Sequence, residues 1–98
     1  MATIKELETA LGDTTEAVAA KLLELHCKGF RKSPRYCPIA IYINERAKLW
    51  PGADFQPGGI FFHDAQIMDY HFKQPVTDFM KRFDAGEFPE LALAEIRL

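Results

Sequence analysis

Glycine and proline divide this chain into short segments, and the apolar spacing within each segment predicts what it folds into. The clearest breaks are Gly12, Gly29, Gly86 and the pair Pro51-Gly52. Each predicts the end of an element, because glycine readily closes a helix and proline cannot continue one. The 98 residues, 48% of them apolar, suffice for one hydrophobic core. We therefore expect residues 1–98 to form a single domain.

Two helices are predicted at the amino-terminal end. Thr3 and Glu6 have the spacing of a capping box, and the helix that they open is predicted to stop at Gly12. A second cap at Asp13 opens the next helix, whose apolar stripe predicts that it continues to Gly29.

The segment 38–48 fits two interpretations. Ile39, Ile41 and Ile43 alternate as they would in a strand, and β-branched residues favour strands. Pro38, in contrast, suits the first position of a helix. We predict a third helix and keep the strand as the alternative.

A β-hairpin is predicted in the second half of the chain. Residues 60–63 and 67–72 have the composition of strands on either side of a turn at 64–66. The preceding segment, 53–59, is rich in proline and glycine and is predicted to be a loop.

A fourth helix is predicted to begin at Pro75 and to end at Gly86. Its apolar residues have helical spacing, and they are Val76, Phe79, Met80 and Phe83. Residues 89–98 fit either a short helix or a strand. The predicted fold class is α+β, with three N-terminal helices, a β-hairpin and a C-terminal helix in one domain.

Positive charge is concentrated in one segment, residues 28–48, although the whole chain has a net charge of −2 and a pI near 5.9. That segment holds a single acid, Glu45, and both flanks are acidic. Its basic residues are Lys28, Arg31, Lys32, Arg35, Arg46 and Lys48. A local positive field of this kind can steer an anionic partner towards the chain.

We expect the basic segment to be a contact surface of a non-enzymatic binding protein. The predicted anion contacts are Arg31, Lys32 and Arg35, with Tyr36 as a stacking or packing contact. Arg46 and Lys48 are predicted to form a second row. The alternative is that these charges are ordinary solvated side chains, or that they pair with the acidic flanks.

The net charge favours an acidic protein surface over nucleic acid as the partner of the basic segment. Three helices followed by a hairpin is also the element order of winged-helix DNA-binding domains. However, the third helix carries Ile39, Ala40 and Ile41 at its amino-terminal end, where base-reading side chains would be needed.

A histidine and aspartate cluster supports a second hypothesis, a small enzyme or metal-binding protein that uses His63, Asp69 and His71. Asp69 and His71 are two residues apart and would share a strand face, where they could bind a metal or transfer a proton. The alternative is that they are polar positions on the solvent face of the hairpin. No cofactor is predicted.

Two cysteines, Cys27 and Cys37, are predicted to be reduced thiols of a cytoplasmic protein, because no secretory leader is visible and no apolar stretch approaches the ~20 residues that cross a bilayer. A Cys27–Cys37 disulfide and a zinc site with His26 are the alternatives. We expect Cys27 to pack on the second helix and Cys37 to cap the third.

The run Ile60-Phe61-Phe62 is apolar on both strand faces, which is unusual for a hairpin with one solvated side. Either the fourth helix and the C-terminal tail cover the second face, or another copy of the chain does. A homodimer is therefore a possible arrangement.

Two stretches resemble a pattern in small uncharacterised bacterial proteins, often of actinobacteria or mobile elements. The first is Gly29-Phe30-Arg31 followed by Cys37-Pro38-Ile39-Ala40-Ile41-Tyr42, and the second is Phe83-Asp84-Ala85-Gly86-Glu87-Phe88-Pro89-Glu90-Leu91. The resemblance covers about a third of the chain. It supports a helix after Pro38 and implies no activity, so no catalytic residue follows from it.

Overall fold

Four helices pack with a three-stranded antiparallel sheet in a computed structural model that describes residues 3–47, 53–61 and 70–93. The helices are α1 (Ile4–Ala10), α2 (Thr15–Glu24), α3 (Pro38–Ala47) and α4 (Gln74–Asp84). The strands are β1 (Asp54–Gln56), β2 (Gly59–Phe61) and β3 (Tyr70–His71), and a 3-10 helix follows at Pro89–Leu91. Helices and sheet share one hydrophobic core, which confirms the α+β class.

The predicted cap of α1 is present, whereas the cap of α2 lies one residue later than predicted. The Thr3 hydroxyl accepts the Glu6 N–H at 3.1 Å, and the Glu6 carboxylate accepts the Thr3 N–H at 3.4 Å. At α2 the hydroxyl of Thr14, not the carboxylate of Asp13, accepts the Ala17 N–H at 3.0 Å. Thr14 is extended, the conformation in which a cap side chain reaches the first turn.

The prediction that α2 continues to Gly29 is wrong, because the helix ends at Glu24. His26 adopts the left-handed conformation (φ 59°) that glycine usually takes at a helix end. The N–H of His26 donates to Leu23 O at 3.1 Å, and the N–H of Cys27 donates to Leu22 O at 2.9 Å. These two bonds close the helix without a glycine.

Gly29 has a different role, which is to let the chain pass directly over the start of α3. A Cβ atom at this position would lie 2.7 Å from the Cys37 carbonyl carbon and 2.7 Å from the Pro38 nitrogen. The Gly29 N–H donates to Leu91 O at 2.9 Å, and its carbonyl accepts the Leu93 N–H at 2.9 Å. Only glycine fits here, because the backbone approaches too closely for a side chain.

The helix predicted after Pro38 is confirmed, and α3 is the most buried helix of the fold. Its buried residues are Pro38, Ile39, Ala40, Tyr42, Ile43 and Ala47. The alternation of isoleucines is therefore incidental, because Ile39 and Ile43 share one buried face at helical spacing. The sulfur of Cys37 accepts the Ala40 N–H at 3.4 Å, so Cys37 caps α3 as predicted.

The predicted loop at 53–59 is wrong, because it contains strand β1. The sheet has the order β1-β2-β3, with Phe55 opposite Ile60 in the first pair. Phe55 is buried, and the turn between the strands includes Gly58 with φ 107°. The predicted hairpin is thus two strands of a three-stranded sheet, and its turn at 64–66 lies outside the described residues.

The apolar stripe of α4 is buried as predicted, and Gly86 closes the helix with φ 110°. The helix begins at Gln74, one residue before Pro75. After the 3-10 helix, Ala92 forms a parallel bridge with Gly29. In the tail segment 89–98, Pro89–Leu91 form the 3-10 helix and Ala92 is extended, while residues 94–98 lie outside the described part of the chain.

A buried carboxylate, Glu8, connects α1 to β3 and to the start of α4. Its side chain is 6% exposed and accepts the Tyr70 hydroxyl at 2.7 Å and the Lys73 N–H at 2.7 Å. Burial, together with the hydrogen bond to Glu8, raises the pKa of Tyr70. Lys73 is the N-cap residue of α4, so the carboxylate also lies where a helix favours negative charge.

We expect Glu8→Ala to lower the free energy of unfolding by about 2 kcal/mol, because it leaves the Tyr70 hydroxyl and the Lys73 N–H without their acceptor. Urea unfolding followed by circular dichroism measures this change. Glu24→Ala, at an exposed position of α2, is the control and should change stability by less than about 0.5 kcal/mol. Equal small effects of the two substitutions would contradict a structural role for Glu8.

Candidate functional site

Arg31 holds the basic loop, residues 28–37, against the C-terminal end of α4. Its Nη1 donates to the carbonyl oxygens of Phe83 and Glu87, the latter at 2.8 Å. The guanidinium carbon also lies 4.6 Å from the centre of the Phe83 ring. The last carbonyls of a helix lack intrahelical partners, so a cation there is favourable. This predicted anion contact is therefore occupied within the fold.

Lys32 follows in an unusual backbone conformation and directs its charge to solvent. Its φ is 56°, which residues with side chains rarely adopt. The Lys32 N–H donates to Asp84 Oδ1 at 2.8 Å, which fixes the backbone there. Its side chain is exposed, and its ammonium forms no ion pair with the carboxylates of the described residues.

Arg35 and Tyr36 are also exposed. Arg35 Nε lies 3.3 Å from Asp54 Oδ1, and the arginine side chain is 60% exposed. The residue Tyr36 is 61% exposed, while its backbone is fixed by bonds to Ser33 Oγ at 3.1 Å and from the Phe30 N–H at 2.8 Å. We call Lys32, Arg35 and Tyr36 the outer loop face.

Arg46, predicted in a second row, is packed against its own helix. Its guanidinium carbon lies 4.7 Å from the centre of the Tyr42 ring, and Nη1 donates to Tyr42 O at 3.1 Å. The same nitrogen lies 3.5 Å from Glu45 Oε2 and 3.7 Å from Cys27 Sγ. The predicted cations thus form two groups: Arg31 and Arg46 are bonded within the fold, whereas Lys32 and Arg35 are exposed. Lys48 lies outside the described residues.

A cleft of about 220 Å³ opens beside the outer loop face. Its floor is apolar and includes Cys37, Phe55, Phe79, Met80 and Phe83. Lys32, Gln56 and Asp84 also line it, and the first two are exposed. The sequence did not reveal this cleft, because its walls come from the basic loop, α3, β1 and α4, which are separate in the chain.

Neither cysteine is placed for nucleophilic chemistry. Burial raises the pKa of Cys37 to about 11 and also raises that of Cys27. Both are therefore protonated thiols at neutral pH, and a thiol is far less reactive than a thiolate. The two cysteines are free, so the alternative of a Cys27–Cys37 disulfide is wrong.

The hypothesised metal sites find no support in the part of the chain that the structure describes. Within residues 3–47, 53–61 and 70–93, no three His, Cys, Asp or Glu side chains gather as a metal site. His26 is exposed whereas Cys27 is buried. His71 is exposed on β3, while His63 and Asp69 lie outside the described residues, so that cluster stays a hypothesis.

Two further observations concern DNA and membranes as partners. The amino-terminal half of α3 is buried, so it offers no face that could enter a DNA groove. Among the described helices, none has both the length and the apolar character needed to cross a membrane.

Comparison with known proteins adds no assignment, because no family model, no curated protein and no solved structure matches this chain. The resemblance to small bacterial proteins, including those of mobile elements, therefore stays a prediction. So do the cytoplasmic location and the homodimer.

We expect Arg31→Ala to lower the free energy of unfolding by about 2 kcal/mol, because it removes two charged hydrogen bonds and a ring contact. Arg35→Ala is the matched control. It breaks only an exposed ion pair and should cost less than about 1 kcal/mol. Chemical denaturation of both variants tests this. If Arg31→Ala lowers the free energy of unfolding no more than Arg35→Ala does, Arg31 does not position the loop.

The raised pKa of Cys37 predicts a loss of stability at alkaline pH. The folded protein binds this proton more tightly than an unfolded thiol with the ordinary value of 9.0, since its pKa is about 11. The stabilisation is therefore present below pH 9 and is lost as pH rises towards 11. We expect a loss on the order of 2 kcal/mol across that interval.

Cys37→Ala is the reference for this measurement, since other groups also titrate above pH 9. The free energy of unfolding of the wild type should fall more steeply with pH than that of Cys37→Ala. Identical slopes for the two proteins would show that burial does not raise the pKa of the Cys37 thiol.

Proposed function

We propose that this protein is a non-enzymatic binding protein that accepts an acidic segment of another protein on its outer loop face. The observation that supports this proposal is the position of Arg31. This residue holds the basic loop against α4, so that Lys32, Arg35 and Tyr36 remain exposed. Arg31 and Arg46 then position and stabilise the fold instead of contacting the partner.

The charges of the outer loop face are available to an incoming carboxylate. The Lys32 ammonium has no ion-pair partner among the described residues. The pair between Arg35 and Asp54 is exposed on both sides, and such pairs contribute at most about 1 kcal/mol. A partner carboxylate can therefore exchange with Asp54 at little cost, and Arg35 can bind it with two parallel hydrogen bonds.

The backbone of Lys32 gives a second argument for a binding role. A left-handed conformation is easier for glycine, and a residue with a side chain loses stability there. Lys32 nevertheless adopts it, which supports a role for its side chain that is separate from stability. Residues in disfavoured conformations occur often at binding sites, where the surrounding structure maintains them.

An acidic protein fits this surface better than nucleic acid does. The chain has a net charge of −2 and a pI near 5.9, whereas dedicated nucleic-acid binders present an extended basic face. Arg31 donates to carbonyls and Arg46 lies on its own tyrosine, which leaves few cations for a phosphate backbone. A small enzyme or metal-binding protein that uses His63, Asp69 and His71 stays the alternative.

Lys32→Gly separates function from stability, because it removes both the ammonium and the disfavoured conformation. We expect the variant to be more stable than the wild type by about 1 kcal/mol. Its affinity for a fluorescein-labelled peptide of about ten residues, rich in Asp and Glu, should fall several-fold. Fluorescence polarisation and urea unfolding give the two quantities.

His26→Gly is the matched control for this variant. His26 has nearly the same backbone conformation, with φ 59°, but lies at the end of α2 outside the outer loop face. It should gain similar stability and keep the wild-type affinity. Unchanged affinity of Lys32→Gly, or equal losses in the two variants, would overturn the proposal.

A charge-reversal pair tests the location of the surface. Lys32→Glu with Arg35→Glu should weaken peptide binding about tenfold or more, since both contacts become repulsive. Lys5→Glu with Lys21→Glu produces the same net charge on α1 and α2 and should have little effect. If the two double variants weaken binding equally, the net charge of the protein and not the outer loop face is responsible for binding. If the wild type binds a DNA oligonucleotide of equal charge more tightly than the peptide, the acidic protein partner is rejected.

A further inference from the structure

A partner that contributed only carboxylates would contact the outer loop face and leave the adjacent cleft unfilled. We propose that it takes one large apolar side chain of the same acidic partner. The recognised sequence would then be an apolar anchor residue, leucine or phenylalanine in size, with carboxylates on either side. This inference depends on the proposed function, because the outer loop face supplies the charge that selects the acidic neighbours.

The size of the cleft fits a side chain. Its volume of about 220 Å³ is below the ~300 Å³ at which small-molecule and cofactor sites usually begin. An apolar cavity of about 150 Å³ lined by Leu, Ile and Phe is sufficient for benzene, which has the size of a phenylalanine ring. One anchor residue therefore fills the space, whereas a nucleotide or a flavin would not fit.

The floor of the cleft has the chemistry that an apolar anchor needs. Phe79 and Phe83 stack there with ring centres 5.8 Å apart and an angle of 15° between the planes. Met80 lies beside them, and methionine adapts its flexible thioether to differently shaped neighbours. The Cys37 thiol at the floor is neutral, because burial raises its pKa to about 11. No charged group among the described residues of the floor opposes an apolar side chain.

Charge at the edge of the cleft indicates what surrounds the anchor. Lys32 lines the cleft, and Arg35 contacts Asp54, the residue next to Phe55 of the floor. Asp84 lines the opposite side, on α4, where its carboxylate accepts the Lys32 N–H and keeps its negative charge. Exposed cations on the loop side thus complement carboxylates adjacent to the anchor. Acidic neighbours distinguish this partner from a purely apolar segment.

Two peptides of equal charge provide the test. Both contain about ten residues rich in Asp and Glu, and they differ only in a central residue, phenylalanine in one and alanine in the other. We expect the phenylalanine peptide to bind about ten- to a hundredfold more tightly, in proportion to the apolar area that the ring buries. Its binding should also shift the NMR signal of the Met80 methyl group, while the alanine peptide should leave that signal nearly unchanged.

Gln56→Trp fills the cleft from an exposed position of β1 and should reduce the affinity for the phenylalanine peptide to that for the alanine peptide. Gln74→Trp is the matched control, because Gln74 is exposed at the opposite end of α4 from the cleft. It should preserve the difference between the peptides. A thermal unfolding scan of both variants shows that each is folded.

The outcomes separate this inference from the proposed function. If both peptides bind equally well and Lys32→Gly weakens both, the outer loop face binds acidic partners and the cleft proposal is wrong. If neither peptide binds, both proposals fail. A Met80 methyl shift that depends on protein concentration in the absence of peptide, with a dimer in sedimentation, would assign the cleft to a second copy and overturn the inference.

Discussion

The contact of Arg31 with the end of α4 is the constraint on which the rest of the candidate site depends. The basic loop has no regular secondary structure of its own, so its position is determined by its hydrogen bonds to the rest of the fold, and Arg31 supplies two of them. Arg31 donates to the carbonyl oxygens of Phe83, in the last turn of α4, and of Glu87 just beyond it, and its guanidinium lies over the Phe83 ring. In doing so it holds the loop whose residues Lys32, Ser33 and Pro34 line the cleft.

Three other local features support the same arrangement. Gly29 allows the chain to pass close to Pro38, and Cys37 caps α3 with a neutral sulfur. Strand β1 adds the remaining wall, because the Phe55 N–H donates to the Pro34 carbonyl at 2.7 Å. The loop is therefore bonded to α3, α4 and the sheet together. These contacts do not use the ammonium of Lys32 or the guanidinium of Arg35. Both side chains are therefore available to bind a partner.

Local sequence patterns predicted the elements whose signals are contained in a few adjacent residues. The capping box of α1 and the apolar stripe of α4 are examples, and the proline at the start of α3 is another. Strand β1 was missed because it is only three residues long and is formed by pairing with β2. The end of α2 was missed because a histidine, His26, adopts the conformation expected of glycine.

The candidate site was predictable in composition and not in geometry. The concentration of basic residues indicated the loop, in which Lys32, Arg35 and Tyr36 are exposed, and their role as contacts stays a proposal. The inward orientation of Arg31 was not predictable, because its carbonyl partners are 52 and 56 residues away in the chain. The cleft depends on the same long-range packing.

Native-state hydrogen exchange of the loop amides tests the role of Arg31 most directly. The N–H groups of Phe30 and Lys32 are hydrogen bonded in the folded protein, to Tyr36 O and Asp84 Oδ1. We expect Arg31→Ala to accelerate their exchange strongly, while the amide of Leu7 in α1 keeps its protection relative to the global stability. If the two loop amides exchange no faster relative to Leu7 than in the wild type, Arg31 does not hold the loop, and the outer loop face does not depend on it.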